Sequence, residues 1–109
     1  ADRVRAVWPV LAGGEARLRV LDQAIGLAMY DPRRHAELAR TASRQYLPVL
    51  VSFCPAAWSE QRRSEVAEMV LAALRGLLVE LATSGDSAGV ESGFAALIRA
   101  LEREEAAGE

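Results

Sequence analysis

One stretch constrains the fold more than any other. From a capping Ser59 to Thr83–Ser84 the residues read as a single long helix. Its large apolar side chains are Val66, Met69, Val70, Leu71, Leu74, Leu77, Leu78 and Leu81. At 100° per residue they spread over an arc of about 200°, twice the stripe that a helix needs to bury one face. Such a helix must be covered from two sides. In a chain of 109 residues the expected second cover is another subunit, and the plain alternative is the central position in a monomeric bundle.

The rest of the chain is helical by the same reasoning. Strand-like alternation is missing and the helix formers Ala, Leu, Arg and Glu dominate. The expected architecture is an all-α, single-domain bundle of about five helices over 1–109, with the last two forming a dimeric four-helix interface. The first helix covers about residues 2–12, is bent or interrupted by Pro9, and stops at Gly13–Gly14. The second runs from about Glu15 to Tyr30. Asp31–Pro32 is a cap followed by proline at the first helical position, so a third helix starts there and runs towards Phe53, bending at Pro48. Ser59 caps the fourth, Gly85 closes it in the left-handed conformation, and Asp86 caps the fifth, which ends near Glu105.

Composition removes several classes of function. All 13 basic residues are arginine, 15 residues are acidic, and the net charge is −2, so no concentrated basic face meets nucleic acid within these residues. The single Cys54 allows no internal disulfide, which points to a reducing, cytoplasmic setting. The first thirty or so positions lack an apolar core of the secretory type. The longest uncharged run, Tyr46 to Ala57, is too short to span a bilayer and holds two prolines, so no membrane contact is expected. The chain begins at Ala1 without an initiator methionine, which suggests a piece of a longer protein. His35-Ala36-Glu37 has the H-x-E form of zinc deaminases, but the P-C-x-x-C half is missing. One histidine and one cysteine do not make a structural zinc site, and no nucleophile elbow or phosphate loop is present. No metal, cofactor or catalysis is expected.

Two faces carry the functional expectations. The fifth helix has an apolar stripe, Val90, Phe94, Leu97, Ile98 and Leu101, beside a face of small residues, Gly89, Gly93, Ala96 and Ala100, which let another helix approach closely. With Leu71, Leu74 and Leu78 of the fourth helix, the residues Gly89, Gly93, Phe94, Ala96, Leu97 and Ala100 form the expected homodimer surface. On the third helix, His35, Leu38, Ala42, Tyr46, Val49 and Phe53 fall within an arc of about 80°, and a bend at Pro48 gives them the concavity of a ligand wall. The pocket candidates are Met29, Tyr30, His35, Leu38, Tyr46, Phe53, Trp58 and Met69, with Trp8 as a further contributor. Aromatic stripes at this spacing are also what a plain core contains.

The run from Ala73, ALRGLLVELATSGDSAGVESGFAALIRAL, resembles the last two helices of TetR-type transcriptional regulators. The matching features are Gly76–Leu77–Leu78, the Gly85–Asp86 turn, Val90, and Phe94 through Leu101; the close match covers about a quarter of the chain. The family's helix-turn-helix is missing. The resemblance implies a small-molecule-sensing and dimerisation domain for a small apolar or aromatic effector, with DNA bound through a module outside these residues. The alternative is a stand-alone helical-bundle module that binds protein.

Overall fold

Short polar residues set the ends of the two longest helices. Ser59 is extended (φ −62°, ψ 156°) and its hydroxyl accepts from the Arg62 amide at 3.1 Å, satisfying one of the donors that a first helical turn leaves open. In this computed structural model, which describes residues 1–13, 30–31, 33–34, 37 and 44–107, that cap opens a helix over Glu60–Thr83. Beyond it Gly85 takes φ +71°, a left-handed turn that side chains with a Cβ resist. The Asp86 carboxylate then accepts from the Gly89 amide at 2.9 Å and starts the next helix.

The described residues form four helices and no strand: α1 (Asp2–Gly13), α2 (Leu47–Phe53), α3 (Glu60–Thr83) and α4 (Ser87–Ala106). None is long and apolar enough to cross a membrane. The expected second helix and most of the third lie outside the described residues. Where the third was expected to run unbroken into Phe53, the backbone instead turns at Gln45–Tyr46 and α2 begins anew with Pro48 in its first turn. Proline explains the break. It has no amide for the carbonyl four residues back, whereas the first turn of a new helix leaves that position unbonded anyway. Pro9 is tolerated differently, inside α1, which continues through it to Gly13.

α3 lies at the centre. Val66, Ala67, Val70, Leu71, Leu74 and Leu78 are buried and span about 140° of its circumference. α2 covers one side of this arc, α4 the other, and α1 packs on as well, so both covers come from the same chain. Met69, at the far end of the expected arc, stays 42% exposed. From α4 the stripe Val90, Phe94, Leu97, Ile98 and Leu101 points into the core, as its helical spacing requires.

Polar and aromatic contacts fix the helices at their edges. Trp8 of α1 stacks on Phe94 of α4 with ring centres 4.6 Å apart, and its Nε1 donates to Glu91 at 2.9 Å. Arg5 reaches Glu102 of α4 at 2.7 Å. The guanidinium of Arg62 lies 4.0 Å from the centre of the Trp58 ring and donates to both the backbone and the carboxylate of Glu104.

Candidate functional site

An apolar cleft opens where α1, α2 and α3 meet. The helical repeat explains its walls. α1 supplies Val7 and Leu11, one turn apart; Tyr46 and α2 supply Tyr46, Val49, Leu50 and Phe53; α3 supplies Leu71, Leu74, Arg75 and Leu78. The last two sets share the spacing i, i+3, i+4, i+7, which lines one face of a helix. Leu50, Leu71, Leu74 and Leu78 are buried and make the floor, while Val49 is half-exposed at the mouth. The cavity volume is about 80 Å³, room for a small apolar group. Its surface is carbon almost throughout. Arg75 is the one charged residue among the described lining, and it contributes its hydrocarbon stem.

A smaller cavity of about 20 Å³ lies behind the first, between Val4 of α1, Cys54, Trp58 and the start of α3. Leu50 and Phe53 line both. The Cys54 thiol faces two carbonyl oxygens, 3.6 Å from that of Leu50 and 3.7 Å from that of Arg63. Burial pushes its pKa above the ordinary thiol value, and nearby Arg63 only partly offsets this, so the group stays a protonated thiol at neutral pH.

Arg44 and Glu68 form a bidentate pair at 2.8 and 2.5 Å that ties the residues before α2 to α3. The hydrogen bond from Arg44 holds the Glu68 carboxyl below the usual carboxylate range, with a smaller pull from Arg75; in return Glu68 raises Arg44. Among the described residues no group of three or more His, Cys, Asp or Glu is placed to hold a metal ion.

No known protein family, curated protein or solved structure matches this chain.

Of the eight pocket candidates, Tyr46 and Phe53 line the cleft, and Trp58 lines the smaller cavity behind it. Tyr30 is 89% exposed and Met69 faces outward from α3; neither lines either cavity. Met29, His35 and Leu38 lie outside the described residues. Trp8 is buried against Phe94, away from the cleft. The interface candidates divide in two. Leu71, Leu74, Leu78, Phe94 and Leu97 are buried within the chain's own core, the first three as cleft floor. Gly89 and Ala96 are exposed on α4, while Gly93 and Ala100 are half-buried. A Cβ on Gly93 would stand 3.1 Å from Leu77 Cδ2, so Gly93 marks a close approach of α4 to α3. The cleft residues that carry no expectation from the sequence are Leu50 and Arg75, and on α1 Val7 and Leu11. The i, i+4 spacing of the α1 pair was visible, but nothing local says that this face of α1 turns towards α2.

Proposed function

We propose that this chain is the effector-binding and dimerisation part of a TetR-like transcriptional regulator, whose DNA contacts are made by a helix-turn-helix outside these residues. The cleft between α1, α2 and α3 carries the reading. It is a concave, carbon-lined site held between helices, the kind of place where a small apolar or aromatic ligand is desolvated and enclosed. No acid–base pair or nucleophile lines it among the described residues, which suits sensing and not turnover. Such a regulator works in the cytoplasm, where Cys54 remains a thiol.

The dimer part of the reading draws on the outer flank of α3 and α4. Met69, Ala72, Gly76 and Val79 are exposed within about 80° of the α3 circumference. Gly89, Ala96 and Ala100 of α4 extend this set of small residues past the Gly93–Leu77 approach, with the acidic Glu65, Glu80 and Asp86 among them. A second copy related by a two-fold axis would set four such helices side by side.

The test is a thermal-shift screen of neutral apolar and aromatic compounds against the chain and against Val49→Asp. A ligand that binds only the folded state raises its apparent stability. The expected result is a rise in the midpoint for the parent and none for the variant, which charges the mouth at an exposed position. No response from any compound, or an equal response from the variant, overturns the cleft reading. For the dimer, light scattering of the parent should give twice the chain mass and of Gly76→Arg the single mass. The same mass for both removes the α3–α4 flank as the interface. A module that docks an apolar peptide is the second reading, favoured by the exposed valines Val49 and Val10.

A further inference from the structure

We propose that Phe53 is a movable wall that transmits occupancy of the cleft to Trp58 and to the first turn of α1; the inference rests on the cleft being a ligand site. Two cavities share that wall. Phe53 and Leu50 line both the cleft, about 80 Å³, and the smaller cavity, about 20 Å³, that Val4, Cys54 and Trp58 close from the other side. A packed interior transmits a push, because its side chains have nowhere to go. Here one of them does. The smaller cavity has space for about one water-sized group, so the edge of a ring pushed from the cleft side has room to shift towards it.

The two shared residues differ in freedom. Leu50 is buried in the middle of α2, whereas Phe53 is its last residue, half-buried, followed by the extended Cys54. The open side of the Phe53 ring carries the guanidinium of Arg3 at 5.8 Å, and Arg3 also reaches the Ser52 carbonyl at 3.5 Å. Motion of the ring therefore reaches α1 twice, through Val4 at the smaller cavity and through Arg3 on the outside. Trp58 sits at the far wall, where its indole reports on what enters. Trp8 is held differently, with its indole between Phe94 and Glu91.

The experiment uses the whole chain carrying Trp8→Phe, so that Trp58 is the one indole left. Toluene, cyclohexane and indene are the probes, with binding followed by thermal shift and Trp58 by its emission at the red edge of the indole band. Occupancy is expected to shift the emission maximum. With Phe53→Ala, and with the bulkier Phe53→Leu should the first variant fold poorly, binding is expected to weaken because Phe53 lines the cleft, and at probe concentrations that saturate each variant by thermal shift the emission should stay unchanged. Leu78→Phe, which fills the cleft without a ligand, should shift the emission in the same direction as a bound probe. Binding without a shift of Trp58, or an undiminished shift in the Phe53 variants, overturns the relay and leaves the cleft reading standing. No binding of any probe to the parent overturns the cleft reading and the relay with it.

Discussion

Trp8→Ala is the sharpest test of how the cleft is built. Trp8 is 4% exposed, stacks on Phe94 at 4.6 Å and donates from Nε1 to Glu91 at 2.9 Å. Truncating a buried aromatic to alanine costs about 3–5 kcal/mol through lost transfer energy and the cavity left behind. The stacking contact and the hydrogen bond make the upper half of that range the better figure. A domain of this size is stable by about 5–15 kcal/mol, so the loss is a large share of the whole. With a urea slope of about 1–3 kcal/mol per molar, the midpoint should fall by about 2 M. Trp8→Phe keeps a ring over Phe94 but loses the indole donor and part of the buried ring, for about 2 kcal/mol, and a double-mutant cycle with Glu91→Ala should recover a hydrogen-bond coupling of about 1 kcal/mol. Function follows the same order. Val7 and Leu11 form one wall of the cleft and move with α1, so Trp8→Phe should retain ligand binding while Trp8→Ala loses it. A Trp8→Ala midpoint within about 0.3 M of the parent, at equal slope, would refute the claim that α1 is docked through this residue.

Further outcomes follow from the caps, the ion pair and the thiol. Ser59→Ala and Asp86→Ala each remove a side-chain acceptor from a helix start and should lower stability by about 1 kcal/mol in chemical denaturation, with Ser59→Asp nearly neutral. Because the Glu68 carboxyl is held below its ordinary value near 4.5 by Arg44, its contribution is present above that pH and is lost as pH falls through the lowered value. Both partners are substantially exposed, so the effect is modest; Arg44→Gln should flatten the acid limb when urea midpoints are compared from about pH 6 to about pH 3. Cys54, with its thiol pKa raised by burial, should be alkylated by iodoacetamide at neutral pH far more slowly in the folded chain than in urea. Equal rates would show that the thiol is open to solvent.

Local chemistry was legible in the sequence, and long-range placement was legible only where one helix dictated it. Ser59, Gly85 and Asp86 act within three residues of themselves, and their roles follow from side-chain reach and from φ. The inward stripe of α4 follows from the helical repeat alone. Pro48 was misread because proline is compatible with two outcomes, a bent helix or a new start. The choice between them depends on how Tyr46 and the residues after it pack, which is not a local property. The register drawn from His35 to Phe53 assumed one unbroken helix, so the break at Gln45–Tyr46 removes its basis, yet Tyr46, Val49 and Phe53 still share a wall because their own spacing lies on one side of that break. Leu71, Leu74 and Leu78 show the deeper limit. A wheel gives the width of an apolar arc but not the identity of what covers it, and a neighbouring helix of the same chain satisfies the hydrophobic requirement as well as a second subunit does. With α2 and α4 on that arc, the proposed dimer uses the exposed small residues Ala72, Gly76 and Ala96, which are interspersed with Glu65 and Glu80. Subunit contact there would rest on close backbone approach and fit more than on large side chains, and for that reason a single arginine at Gly76 is the substitution to which it is most sensitive.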